Sequence, residues 1–108
     1  MKKIALLTLV LVSLLSIQAA GVAQGDGSKK VGIVNFAFKP GTLTVGKGTK
    51  VEFENESNTA HTATRNGGGF NSGRIRPGNQ FSVRFNRTGT FRYHCTIHPE
   101  MRGKIVVQ

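Results

Sequence analysis

A single cysteine, Cys95, rules out any disulfide within this chain. Acidic residues are scarce as well: five Asp and Glu stand against fifteen Lys and Arg, a formal charge of +10. The basic residues form no block and accompany no recognisable nucleic-acid motif, so nucleic-acid binding is not expected. What they suggest is a basic surface that steers encounters with an acidic partner. Helical periodicity is missing throughout the chain beyond residue 23, which argues against a helical domain. The longest apolar run, from Ile4 to Ile17, falls short of the ~20 residues a membrane-spanning helix needs.

That apolar run has another reading. A basic start, Met1-Lys2-Lys3, precedes it, and small residues, Ala19-Ala20-Gly21-Val22-Ala23, follow it. This is the layout of a secretory signal peptide over residues 1–23, cleaved just before Gln24. No cysteine lies near the cleavage site, so no lipid attachment is expected there. Cleavage leaves one domain, residues 24–108, with a formal charge of +8 once Lys2 and Lys3 are gone. The expected location is the periplasm or an equivalent exported compartment. An unpaired thiol in such an oxidising place needs a chemical account.

What the remaining chain does have is alternation. Val51 and Phe53 alternate with Lys50, Glu52 and Glu54; Phe81, Val83 and Phe85 alternate with Ser82 and Arg84. Turn signals at Pro40-Gly41, Gly46-Lys47-Gly48 and Pro77-Gly78 separate these runs. A change of parity between Val31/Ile33 and Phe36/Phe38 predicts a bend near Asn35. Short strands at fairly even spacing point to an all-β fold, an antiparallel β-sandwich. The expected core is Ile33, Phe36, Val45, Val51, Phe53, Phe81, Val83, Phe85, Phe91, Tyr93, Ile105 and Val107.

The chemistry concentrates in Cys95-Thr96-Ile97-His98-Pro99-Glu100-Met101. Thiolate, imidazole and thioether recur with two residues between each and the next. Soft sulfur ligands together with imidazole suit copper, and two His with one Cys and a weak axial Met form the blue-copper set. The second imidazole must come from elsewhere. In the strand before Cys95, Phe91, Tyr93 and Cys95 share one face, which turns His94 the other way. His61 is left as the second nitrogen ligand, brought in by the fold from 34 positions upstream. Tetrahedral zinc on the same groups and a nucleophilic Cys95 are the rival chemistries. The second would leave Met101 and the ligand spacing without a purpose.

Tyr93-His94-Cys95-Thr96-Ile97-His98-Pro99-Glu100-Met101, with Ala60-His61-Thr62, Phe70-Asn71-Ser72-Gly73 and Arg76-Pro77-Gly78, resembles the plastocyanin and amicyanin branch of the cupredoxins. The likeness extends from Val31 to Gln108, and the short final loop is closer to amicyanin than to plant plastocyanin. It implies a Greek-key sandwich holding one Cu(I)/Cu(II) ion on His61, Cys95 and His98, with Met101 as axial ligand. It also implies a non-enzymatic, monomeric carrier of single electrons between redox proteins, such as a c-type cytochrome or a dehydrogenase, with peripheral membrane contact open to it. A copper carrier or storage protein with the same ligands is the alternative. Ile97 stands where amicyanin-like loops can carry proline. Its N–H is expected to reach the Cys95 sulfur and raise the reduction potential, so that Ile97→Pro would lower it.

Overall fold

In the computed structural model, which describes residues 27–108, the alternating runs become eight strands, with no helix among the described residues. The expected signal segment, residues 1–23, lies outside the described residues. The strands are β1 (Ser28–Val34), β2 (Ala37–Lys39), β3 (Thr42–Val45), β4 (Thr49–Asn55), β5 (Thr64–Arg65), β6 (Gln80–Phe85), β7 (Gly89–His94) and β8 (Arg102–Val107). They form two four-stranded sheets, in the orders β2-β1-β4-β6 and β3-β8-β7-β5. The apolar face of each sheet is buried against the other, the all-β sandwich that period-2 patterning requires.

Not every pairing is antiparallel. β1 runs parallel to β4, with Val31 opposite Phe53, and β3 runs parallel to β8, with Leu43 opposite Ile105. The reason lies in the connections. After β2 the chain crosses to the second sheet for β3, then returns to lay β4 beside β1 in the same direction. Such a crossover permits parallel pairing, which a tight hairpin does not. The antiparallel pairs β4–β6 and β7–β8 carry the rest, with Phe53 opposite Phe81 and Phe91 opposite Ile105.

Most of the expected core is buried: Ile33, Val45, Val51, Phe53, Phe85, Tyr93, Ile105 and Val107. Phe81, Val83 and Phe91 pack against it but stay half-buried. β6 is an edge strand, and β5, with two residues, covers little of the space opposite. At the centre is Tyr93, fully buried, with Phe38 and Phe53 set nearly perpendicular at 4.8 and 5.1 Å. Its register partner is Gly103, where a Cβ would collide with the tyrosine ring.

Phe36 corrects the core expectation: it is 51% exposed. The predicted bend is a tight hairpin, in which Val34 pairs with Ala37 and Asn35-Phe36 make the turn. Both turn residues have positive φ, 47° and 63°, the signature of the two-residue turns that match strand twist. The reversal puts Phe36 at the tip and gives the buried place to Phe38, opposite Ile33.

Candidate metal centre

His61 follows a polar loop that has no strand to hold it, so side chains do the holding. Asn55, the last residue of β4, is buried and uses its whole amide. Its Nδ2 donates to the carbonyls of Thr59 and Ile75, both at 2.8 Å. Its Oδ1 accepts from the Ser57 N–H at 2.9 Å and from the Ser57 hydroxyl at 2.7 Å. His61 and Ile75 then exchange backbone hydrogen bonds, His61 N–H to Ile75 O at 3.2 Å and Ile75 N–H to His61 O at 2.7 Å. The imidazole is fully buried, and its Nε2 lies 3.0 Å from the Thr59 hydroxyl. A hydrogen bond at the far nitrogen fixes the ring plane and leaves Nδ1 to face the site. Burial first, and the neighbouring His98 second, hold the His61 pKa below the ordinary imidazole range, which favours the neutral form a metal needs.

The other segment is the connection between β7 and β8. The Cys95 N–H donates to Met101 O at 3.1 Å and the Met101 N–H to His98 O at 2.9 Å, so the loop closes tightly at its base. Cys95 is fully buried and Met101 is 2% exposed. Thr62 joins the two segments. Its N–H donates to Cys95 Sγ at 3.3 Å, and its hydroxyl accepts from the Thr96 N–H at 2.9 Å.

These supports converge three ligand atoms. Cys95 Sγ lies 3.8 Å from His61 Nδ1 and 3.7 Å from His98 Nδ1, and all three atoms fall within 4.8 Å of one another. A metal–sulfur bond of about 2.3 Å and a metal–nitrogen bond of about 2.0 Å, meeting at trigonal angles, place sulfur and nitrogen roughly 3.7 Å apart. The spacing fits one ion shared by the three residues.

His94 is outside this group, as strand parity predicts. Its Nδ1 lies 2.6 Å from Asn66 Oδ1, on the other side of β7. The sulfur's backbone donor differs from expectation: it is Thr62, reaching across from the His61 segment, and Ile97 stands 36% exposed at the loop's outer side. Four contributors were missed in the sequence, the first being Asn55, whose type is ordinary for the end of a strand. Thr59 had a weak signal, a hydroxyl two residues before a candidate ligand. Thr62 acts through its backbone N–H and through a long-range contact, which residue type does not announce. Phe36 packs its ring nearly perpendicular to both imidazoles, with centroids 5.5 Å from His61 and 4.9 Å from His98.

The family model for the cupredoxin-like domain matches residues 5–107. The chain belongs to the cupredoxin-like family. Among relatives of this cupredoxin, amicyanin-alpha of Methylorubrum extorquens is 32% identical over 87 residues, covering 76% of this chain and 73% of the relative. A proline-to-glycine variant of amicyanin in its reduced Cu(I) form at pH 4 superposes with a TM-score of 0.72 at 30% identity, over 81% of this chain and 86% of the other. A purple cupredoxin from Nitrosopumilus maritimus superposes with a TM-score of 0.71 at 26% identity, over 74% of this chain and 99% of the other. The soft thiolate, the paired imidazoles and the family's fold support one copper ion as the cofactor of this cupredoxin.

Proposed function

We propose that this cupredoxin is an exported type 1 copper protein that carries single electrons between redox partners. His61, Cys95 and His98 would hold the copper strongly and Met101 would hold it weakly. The observation that carries the reading is the trigonal spacing of Cys95 Sγ from the two Nδ1 atoms, 3.8 and 3.7 Å. When bound, copper supplies a one-electron Cu(I)/Cu(II) couple. The residues supply geometry that does not depend on oxidation state: Asn55 and Thr59 fix His61, Thr62 fixes Cys95, and the closed loop fixes Met101. Little then has to reorganise as charge changes. The Thr62 N–H, donating to the thiolate, draws charge from sulfur and favours the reduced state. His98, half-buried beside exposed Ile97 and Pro99, is the route by which electrons enter and leave. Full burial withholds the Cys95 thiol from attack on substrates, which disfavours a nucleophilic enzyme.

Residues 1–23 serve as the export signal, and residues 24–108 are the working domain, a monomer in the periplasm. The partner is a c-type cytochrome or dehydrogenase that presents acidic side chains. Exposed Arg74 and Arg76 flank Ile75, the backbone partner of His61, and exposed Arg102 follows Met101. Glu54 and Glu56 are offset by Lys30, whose Nζ lies 2.9 and 2.6 Å from them. Adding Cu(II) to the purified protein tests the function. An intense visible thiolate-to-copper band, bleached by reductant and restored by oxidant, is expected. A colourless protein that retains zinc, or copper that exchanges freely without reversible bleaching, as a storage role would require, overturns the reading.

A further inference from the structure

Phe36 breaks two local rules at once. Its φ of 63° lies in the left-handed region, which bulky side chains rarely adopt and which glycine would occupy freely at this turn position. Its ring is also half in solvent, so core burial does not compensate for the strain. A residue that violates local preference in this way marks a place where another requirement has been met.

The ring's contacts supply that requirement. Its centroid lies 4.9 Å from that of His98 at an interplanar angle of 80°, and 5.5 Å from that of His61 at 83°. Both are edge-to-face geometries, favoured by the quadrupoles of aromatic rings. The two imidazoles differ in what else orients them. His61 has the Thr59 hydroxyl at its Nε2. His98 has no hydrogen bond at Nε2 among the described residues, its polar contact being Nδ1 with the Cys95 sulfur. A ring held at one nitrogen alone can rotate about that contact. Two rings pack on it with centroids at 4.9 Å: that of His61, tilted by 52°, and that of Phe36, nearly perpendicular and delivered by a hairpin whose β1 is anchored in the core through Val31 and Ile33.

We propose that Phe36 is a positioning residue for His98: the strained turn presents a phenyl ring, nearly perpendicular to the imidazole, that takes the place of a hydrogen-bond partner at that ring. This inference rests on the copper-site reading for its purpose, but its geometry exists in the metal-free protein. The test uses the metal-free and copper-loaded forms of the full domain with Phe36→Gly, Phe36→Leu and Phe36→Tyr. In metal-free Phe36→Gly, the thermal midpoint holds or rises because turn strain is relieved. Meanwhile the His98 ring order parameter from NMR relaxation falls clearly below its wild-type value. The His61 ring stays ordered. Phe36→Leu shows the same loss at His98, and Phe36→Tyr restores it. After copper loading, the relative intensities of the visible bands change in the Gly and Leu variants and match the wild type in Tyr. An unchanged His98 ring in Phe36→Gly overturns the proposal. So does a Leu variant that behaves like Phe, or a midpoint that falls in step with the loss of order, since a merely structural role would do that. If the wild type never develops the blue band, the copper reading fails, while the metal-free measurements still decide the role of Phe36.

Discussion

The two segments that bring ligands together are built in opposite ways. The His61 segment is buried and saturated with hydrogen bonds: four through Asn55, two with Ile75 and one at the far nitrogen of the imidazole. The Cys95–Met101 segment buries its two sulfur residues but leaves Ile97, Pro99 and part of His98 at the surface. A carrier needs both kinds. One side must not move when charge changes, and the other must come close to a partner. Rigidity at the first segment is bought with polar contacts because the loop has no strand ladder of its own.

The sharpest way to break this contrast is at Asn55. Asn55→Ala removes four hydrogen bonds made from one buried side chain, those to the Thr59 and Ile75 carbonyls and those from Ser57, and should cost about 3 kcal/mol in the urea unfolding of the metal-free protein. A loss below about 1 kcal/mol would show that the loop holds itself without Asn55. Next comes Thr59→Val, which removes the partner of His61 Nε2 and should weaken copper binding about tenfold in a competition titration, with the unfolding midpoint almost unmoved.

A smaller effect concerns pH. Because His61 is held below the ordinary imidazole range, the unfolded chain takes a proton that the folded site refuses. The stability of the metal-free protein should therefore be flat with respect to this group above about pH 6.5 and decline as pH falls below it. The slope is at most about 1.4 kcal/mol per pH unit. His61→Gln should flatten that part of the profile, and an equally steep profile in the variant would assign the effect elsewhere. The smallest change is expected for Ile97→Pro. With Thr62 as the backbone donor to sulfur, removing the Ile97 N–H should leave the reduction potential and the visible band where they were. A clear fall in potential by voltammetry would restore Ile97 as the tuning residue.

The strands were legible because burial on one face writes itself as alternation, and β4 carries it plainly in Val51, Glu52, Phe53 and Glu54. Strand parity also separated His94 from Cys95. Pairing direction was not legible: nothing in Val31 or Phe53 states that β1 and β4 run parallel, since that follows from where the chain crosses between sheets. Phe36 was misplaced because parity says which face a residue takes in a strand and nothing about a turn tip. Asn-Gly would have announced that turn, whereas Asn35-Phe36 hides it. At the site, ligand types and spacing exposed the loop. The donor to the sulfur, a backbone group on a distant segment, has no side-chain signature to read.

The residues from Thr96 to Glu100 are also the link of an otherwise complete hairpin, since β7 and β8 pair as far as His94 and Arg102 and the Cys95 N–H meets Met101 O one step further. Such a link can change in length or composition without disturbing any rung of the sheet beneath it. In the electron carrier proposed above, the surface offered to a partner can therefore be revised by editing a stretch of a few residues, while the sandwich is unaltered. The fold and this part of the site are separable traits, divided at the top of one hairpin, whereas His61 and its supports remain tied to the sandwich.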